Sequence, residues 1–292
     1  MMLIPASTTL PSNASTSLQR AAILARNNVH VVGTGKRTLL LCNGFGCSQQ
    51  IWRYLVTPLA TQYTVVLFDH VGGGASDLHA YDPQKYGSLA GYAHDVVEIC
   101  QALALTQVTL IGHSVGATIA MLAAIQAPAY FTDVILLAPS PCYLNEPGYH
   151  GGFEREDIEQ LLGLMQADYD SWANLFANLL MGPANNASLG EQLAGYFCQT
   201  DSVIAQQFAR VVFLSDNRAD VPHLQHRTLL VQCQHDVAAP EEVGAYLLEQ
   251  LPNATLVQLQ ATGHCPHLSA PLETLATIEH FLTHEAAYLD TV

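Results

Sequence analysis

The amino-acid sequence predicts an α/β fold in which a mostly parallel sheet is flanked by helices and carries a four-helix lid insertion. Two observations lead to this prediction. Apolar, strand-like runs alternate with helical patterns along most of the chain, and continuous apolar strands are typical of parallel sheets covered on both faces. The alternation stops between residues 145 and 216, where helical patterns follow one another without a strand. We therefore expect an α/β core from residues 26–144 and 217–292, with residues 145–216 as the lid.

The individual elements follow from the spacing of apolar residues, which differs between strands and helices. The first 18 residues are rich in Ser, Thr, Ala and Pro. Residues 1–25 are therefore predicted to be a disordered tail, in which residues 19–26 could form a short helix. Apolar runs predict strands over residues 29–32, 38–41, 64–68, 108–111, 134–137, 228–232 and 255–260. Helical patterns cover residues 51–60, 89–103, 115–126, 241–250 and 271–284.

The lid helices are predicted from their apolar faces and their capping residues. Ser188 and Asp201 are plausible N-caps of the third and fourth helices, because short polar side chains accept hydrogen bonds from the first helical turn. The aromatic residues of the lid either line a pocket or pack the lid on itself. The two apolar faces consist of Ile158, Leu161, Leu162 and Met165, and of Trp172, Leu175, Phe176 and Leu179.

Composition limits the classes of partner. The chain has 292 residues, of which 50% are apolar and 12% charged, and its net charge is −15. This balance argues against nucleic acid and anionic membranes as partners, because no basic patch can be assembled. The seven cysteines are scattered and odd in number, which favours a reduced, cytoplasmic protein. No apolar stretch reaches the roughly 18 residues of a membrane span, and the N-terminus does not resemble a signal peptide.

The motif Gly112-His113-Ser114-Val115-Gly116 matches G-x-S-x-G. A β-branched apolar run precedes the motif and a helix-forming run follows it, and a strand, a tight turn and a helix together form a nucleophile elbow. The alternative interpretation is a serine at the cap of an ordinary helix, since so short a motif also arises by chance. The strand–helix setting favours Ser114 as a nucleophile.

A nucleophilic serine needs a base, and the base needs an orienting carboxylate. In this architecture both follow the serine in the chain and lie after later strands. Asp236 follows the predicted strand at 228–232, and His264 follows the one at 255–260. We therefore predict His264 as the base and Asp236 as the acid. The weaker candidates are His113, His235 and His267 for the base, and Asp216 and Asp220 for the acid.

The oxyanion of an acyl-transfer intermediate requires two backbone N–H groups. One is expected from Val115, after the nucleophile, and the other from Phe45, in the glycine-rich loop at residues 43–46. A metal site at His264 and His267 is disfavoured because no further ligand completes it. Other glycine runs lack the spacing of nucleotide-binding loops. No cofactor is expected.

Several segments resemble the RsbQ-type α/β-hydrolases, which are bacterial regulators of the general stress (sigma-B) factor, with the plant karrikin and strigolactone receptors as relatives. The resemblance runs from about residue 26 to the C-terminus. Asn43 departs from the plant receptors, which carry His before Gly-Phe-Gly. The matching segments are residues 43–47, 68–72, 112–116, 140–145, 151–154 and 263–267, of which Ser-Pro-Cys-Tyr-Leu-Asn leading to Gly-Gly-Phe is the most specific.

The resemblance implies an α/β-hydrolase fold, a lid of four helices over a hydrophobic pocket, and a catalytic triad of Ser114, Asp236 and His264. It also implies a small-molecule sensor that works with a protein partner, which in the stress-regulator system is a PAS-domain phosphatase. The pocket-lining positions that it implies are Phe45, Phe153, Phe176 and Phe213.

The sequence thus predicts an intracellular serine hydrolase that acts on a small hydrophobic ester or lactone and serves signalling in a stress response. Two alternatives remain open at this point. One is a ligand-binding regulator in which the triad is incidental, and the other is a metabolic carboxylesterase without a partner.

Overall fold

The computed structural model describes residues 13–284. Within them, seven strands form one sheet in the order β1-β3-β2-β4-β5-β6-β7. The pairing of β1 with β3 is antiparallel, and every other neighbouring pair is parallel. The mostly parallel α/β architecture is therefore confirmed. The strands are β1 (His30–Val32), β2 (Thr38–Cys42), β3 (Thr64–Leu67), β4 (Val108–His113), β5 (Phe131–Leu137), β6 (Arg227–Gln234) and β7 (Ala254–Thr262).

Eleven α-helices lie within the described residues. The helices predicted for the core match the observed ones to within a few residues, except that the first of them divides into a 3-10 helix and α2. The helices are α1 (Asn13–Arg26), α2 (Arg53–Leu59), α3 (Leu89–Ala102), α4 (Val115–Gln126), α5 (Arg155–Ala167), α6 (Tyr169–Met181), α7 (Ala187–Phe197), α8 (Ser202–Phe213), α9 (Glu241–Gln250), α10 (Pro266–Ser269) and α11 (Pro271–Thr283). No helix in this part of the chain is long and apolar enough to span a membrane.

The centre of the sheet is fully enclosed. Every residue of β4 is buried, and α4, which follows it, is buried from Val115 to Ala124. Strands covered on both faces need apolar side chains on both faces, which explains why the central strands are continuous apolar runs. The carboxyl end of β4 is consequently held rigidly in the middle of the molecule, and this is the position that α/β sheets use for ligands.

The N-terminal segment differs from the prediction. Residues 13–25, expected to be part of a disordered tail, belong to α1, while residues 1–12 lie outside the described part of the chain. Arg26, at the end of α1, forms ion pairs of 3.0 Å with Asp95 and 2.8 Å with Glu98 on α3. The first residues of the helix, Asn-Ala-Ser-Thr-Ser, carry no apolar periodicity, so the sequence predicts a shorter helix than the observed one.

The lid residues form four successive helices, α5 to α8, between β5 and β6. Asp201 caps α8, because its side chain accepts the N–H groups of Val203 and Ile204 at 3.0 Å. The predicted cap of α7 is wrong: Asn186 is the N-cap, and it accepts the N–H of Ser188. Both asparagine and serine favour this position, so sequence alone did not separate them.

One apolar face of the lid is also shifted from the prediction. Trp172 and Phe176 of α6 are buried, but Leu175 and Leu179 are exposed. The buried stripe instead continues through Leu180 at the helix end. The spacing of the leucines therefore predicts the helix correctly, but it does not predict which of the leucines are buried.

Candidate active site

Ser114 occupies a sharp turn between β4 and α4. Its backbone angles are φ 56° and ψ −128°, a left-handed φ that non-glycine residues seldom adopt and that occurs at strained functional turns. Gly116 permits the next part of the turn to pack closely. A Cβ at that position would lie 2.3 Å from the carbonyl oxygen of Asn43 and 2.4 Å from that of Cys42. The glycine thus brings the loop after β2 against the serine turn.

Ser114, His264 and Asp236 form a continuous hydrogen-bonded chain. Ser114 Oγ lies 2.7 Å from Nε2 of His264. The other ring nitrogen, Nδ1, lies 2.8 Å and 3.0 Å from the two carboxylate oxygens of Asp236. The carboxylate favours the tautomer with its proton on Nδ1, which leaves Nε2 free to accept the serine hydroxyl. All three side chains are buried.

The Asp236 carboxylate is itself fixed by backbone donors. Its Oδ1 accepts the N–H groups of Ala238 at 2.9 Å and Ala239 at 3.1 Å. A buried carboxylate needs such partners, because an unpaired buried charge is costly. Asp236 is therefore anchored just after β6, and His264 lies just after β7.

Three of the weaker candidates for the base and the acid are Asp216, Asp220 and His235. Asp216 pairs with Arg218 at 2.6 Å, and Asp220 accepts a hydrogen bond from Asn217. His235 is exposed. Of the candidates for base and acid, only His264 and Asp236 are joined to Ser114.

Two neutral histidines support the site from behind. The ring of His113 lies 4.4 Å from that of His267, between centroids, and 5.1 Å from that of His264. Burial lowers the pKa of His113 well below its ordinary value and lowers the pKa of His267 to about 3. Both rings are therefore uncharged near neutral pH. Within residues 13–284, neither ring nitrogen of His267 has a hydrogen-bond partner.

Of the two residues predicted to donate to an oxyanion, one is in the Ser114 turn itself and the other is in the loop that packs against this turn. Val115 begins α4 directly after the serine, and Phe45 lies in the loop that follows β2. Among the described residues, neither backbone N–H donates to another backbone group. Both remain available to a ligand oxygen.

A small cavity, with a volume of about 20 Å³, lies at Ser114 between the core and the lid. Phe45, Phe176 and Phe213 are among the residues that line it. The ring centroids of Phe45 and Phe213 are 5.9 Å apart, and those of Phe176 and Phe213 are 5.5 Å apart. The remaining lining residues are Cys47, His113, Ser114, Tyr143, Leu180, Leu193, Phe197, Val212, Ala238, His264 and Cys265.

Phe153 does not line this cavity, contrary to the prediction. Its backbone pairs with the segment after β5: the Phe153 carbonyl accepts the N–H of Asn145 at 2.8 Å, and its N–H donates to Tyr143 at 3.1 Å. The residue therefore precedes the lid helices as part of a short bridge. Its partly buried ring packs against the core.

Tyr143 was not predicted as a site residue. Its hydroxyl lies 3.3 Å from Ser114 Oγ, and burial raises its pKa, so the hydroxyl keeps its proton. Its position shortly after β5, at the same sheet edge as the acid and base, is the signal that could have identified it. Phe197, Leu180, Leu193 and Val212 were likewise missed, because helical spacing does not show which lid face covers the cavity.

The thiols beside the cavity are uncharged. Burial raises the pKa of Cys47 to about 12 and raises the pKa of Cys265 well above its ordinary value, so neither is a competing thiolate nucleophile. Residues 13–284 contain no group of three or more His, Cys, Asp or Glu side chains arranged to hold a metal ion.

Comparison with known proteins gives consistent matches. Residues 39–278 match the model of the "Alpha/beta hydrolase family". The chain is 34% identical over 262 residues to Karrikin insensitive 2 receptor CA of Petunia hybrida, covering 89% of this chain and 97% of that protein. It is 38% identical over 253 residues to Strigolactone esterase D14 of Arabidopsis thaliana, covering 86% and 94%. A solved hydrolase from Oleispira antarctica superposes with a TM-score of 0.89 at 41% identity, covering 91% and 98%.

Proposed function

This chain belongs to the alpha/beta hydrolase family, and from that premise we propose that it is a serine hydrolase with Ser114 as nucleophile, His264 as base and Asp236 as orienting acid. One observation carries the proposal. The Asp236 carboxylate lies 2.8 Å from one nitrogen of His264, and the other nitrogen lies 2.7 Å from Ser114 Oγ. A serine hydroxyl becomes an effective nucleophile when an oriented base takes its proton.

The proposed reaction is the cleavage of an ester or lactone in two steps. Ser114 Oγ attacks the carbonyl carbon while His264 Nε2 takes the hydroxyl proton, and the N–H groups of Phe45 and Val115 stabilise the developing oxyanion. His264 then gives the proton to the departing alkoxide, which leaves an acyl-serine. The same imidazole activates the water that releases the acid. In a lactone the alkoxide stays attached, so the product is a ring-opened hydroxy acid.

The cavity favours a small and mainly apolar substrate. Its volume is small, about 20 Å³, and most of the side chains that line it are apolar. None of the described residues that line it is Asp, Glu, Lys or Arg. A charged substrate would lose its hydration without gaining an ion pair, which is unfavourable.

We further propose that this hydrolysis serves signalling, with the lid reporting ligand turnover to a protein partner. The support is the similarity to plant proteins named as a receptor and as an esterase, together with the resemblance to bacterial stress regulators. A ligand can shift the lid from one conformation to another only if it binds the protein with different affinity in the two conformations. A PAS-domain phosphatase in a stress-response pathway is the partner that this resemblance suggests.

We place the protein in the cytoplasm. All seven cysteines are free, and six of them are buried. Burial raises the pKa of Cys47, Cys142 and Cys265, so these thiols resist oxidation and behave as small apolar side chains. Free thiols in this number suit a reducing compartment.

The biochemical test is hydrolysis of short p-nitrophenyl esters and a simple γ-lactone by the purified protein. Ser114→Ala should lower the rate by about 10⁴- to 10⁶-fold, as loss of a nucleophile does in other triads, without changing the circular dichroism spectrum. Activity of Ser114→Ala within threefold of wild type would exclude Ser114 as the nucleophile.

A cellular test separates the proposal from its two alternatives. In a deletion strain carrying a stress-response reporter, wild-type protein should restore the response and Ser114→Ala should not. Restoration by Ser114→Ala would indicate a ligand-binding regulator with an incidental triad. If the deletion itself changes no response, a metabolic esterase is the better description.

A further inference from the structure

The backbone around His264 is held from two directions. From the core, Gly263 N–H donates to the carbonyl of Gln234 at 3.2 Å, and the carbonyl of His264 accepts the imidazole N–H of His113 at 2.8 Å. These bonds tie the loop to β6 and to the serine turn. Neither of these two bonds involves the lid.

The second set of hydrogen bonds comes from the lid. The backbone N–H of His264 donates to the carbonyl of Leu180, near the end of α6, at 2.8 Å. The side-chain amide of Asn185 donates to Thr262 at 2.8 Å and to Met181 at 2.7 Å, both through carbonyl oxygens. The amide nitrogen of asparagine has two hydrogens, and both are used.

The end of α6 is suited to this contact. The last four carbonyls of a helix have no partner within the helix, and those of Leu180 and Met181 are satisfied by His264 and Asn185. Gly263 allows the close approach: its φ is 79°, and a Cβ there would lie 2.3 Å from the Met181 carbonyl oxygen. The lid and the base loop therefore meet through their backbones.

We infer that Asn185 is a positioning residue and that residues 180–185, which we name the lid clasp, couple the position of the lid to that of His264. This inference rests on the proposed function of His264 as the base. Movement of α6 away from the core would leave the buried N–H of His264 without its acceptor, which is unfavourable. The base reaches Ser114 in its productive geometry only while the clasp is closed, so turnover requires a docked lid.

Asn185→Asp tests the coupling with little change of shape, because a carboxylate cannot donate to the Thr262 carbonyl. Its matched control is Asn174→Asp, which adds the same charge on exposed α6 surface where the amide donates only to the nearby Asp170 carbonyl. We expect Asn185→Asp to lower kcat by about 100-fold, the size expected for a misplacement of about 1 Å. KM should stay within twofold, and Asn174→Asp should match wild type.

A second measurement does not depend on hydrolysis. In protein labelled with ¹⁵N-histidine, the His264 Nδ1–H resonance can be assigned by its loss in His264→Gln. This resonance should broaden or shift in Asn185→Asp and in Asn185→Ala. In Asn185→Gln, which keeps an amide donor, it should lie closer to its wild-type position. Unchanged resonances in both donor-lacking variants, or a kcat equal to that of Asn174→Asp, would overturn the inference. If wild-type protein hydrolyses no ester or lactone, the proposed function fails, and the resonance still decides whether the clasp positions His264.

Discussion

The imidazole Nε2–H of His113 donates to the main-chain carbonyl of His264 at 2.8 Å, so the residue just before Ser114, the proposed nucleophile, also anchors the proposed base. The two residues are 151 positions apart in the chain. The ring nitrogen must be the donor, because a carbonyl oxygen can only accept, and burial keeps the pKa of His113 well below its ordinary value, so the ring is neutral. Ser114 and His264 are thus linked twice, once through their own side chains and once through His113, which precedes Ser114.

Replacing His113 by Phe should lower both stability and turnover. The His264 carbonyl would lose its donor, and a buried polar group left unpaired costs about 1–3 kcal/mol. Urea unfolding should show that loss of stability, and kcat for a p-nitrophenyl ester should fall while KM changes little. A stable variant with unchanged kcat would show that the carbonyl contact does not matter.

Asp236→Asn should preserve the fold and reduce turnover by about 10⁴-fold, since the amide would no longer select the productive tautomer of His264. Asp216→Asn and Asp220→Asn are matched controls, because neither carboxylate contacts the site. Both controls should hydrolyse p-nitrophenyl acetate at nearly the wild-type rate. A defect in either control as large as that of Asp236→Asn would refute the assignment of the acid.

Tyr143→Phe removes the hydroxyl that lies 3.3 Å from Ser114 Oγ. A neutral hydrogen bond contributes about 0.5–1.5 kcal/mol, so kcat/KM should fall by about two- to tenfold. The melting temperature should change little, because the ring keeps its edge-on contact with Phe213. An unchanged kcat/KM for esters of several chain lengths would mean that the hydroxyl serves packing alone.

Phe176→Ala should widen the cavity and shift the preferred acyl chain from acetate towards longer chains. Truncating a buried phenylalanine also costs about 3–5 kcal/mol of stability, so the comparison is made well below the unfolding temperature. Phe153→Ala is the control, since Phe153 lies outside the cavity. The ratio of kcat/KM for octanoate over acetate should rise only in Phe176→Ala, and equal ratios in both variants would contradict the placement of the pocket.

Burial of His267 makes the stability of the folded protein depend on pH. Burial lowers its folded pKa from 6.5 to about 3, so between these values the unfolded chain binds a proton that the folded chain does not, and stability falls as the pH falls through this range. At pH 5, which is about 1.5 below the pKa of His267 in the unfolded chain, the stability lost through this proton is about 2 kcal/mol. His267→Phe should lose about that much less stability between pH 7 and pH 5, measured by urea unfolding. An equal loss in both proteins would rule out this origin.

The fold was predictable because its strongest signals are local. The strand before Ser114 is a continuous apolar run, and α4 follows it with helix-forming residues. Both features report burial on two faces, which the sequence pattern encodes directly. The start of α1 was not predictable, since its first residues are small or polar and carry no apolar periodicity.

The candidate site divides in the same way. Asp236 and His264 could be predicted as the acid and base because each follows a strand and the architecture fixes their order in the chain. Phe153 was predicted to line the pocket and Tyr143 was not, but Tyr143 lines the cavity instead, and a backbone bridge between Leu144 and Phe153 joins the two segments. No periodic pattern in the sequence records such a backbone contact.

The burial of six of the seven cysteines has a practical consequence. Of the seven cysteines, all of which lie in the described part of the chain, Cys198 alone is exposed, and it follows α7 within the lid. A thiol-reactive fluorophore should therefore label the native protein at a single position without engineering. Because that position lies between α7 and α8, the attached dye would report lid displacement in real time as substrate is mixed with the protein.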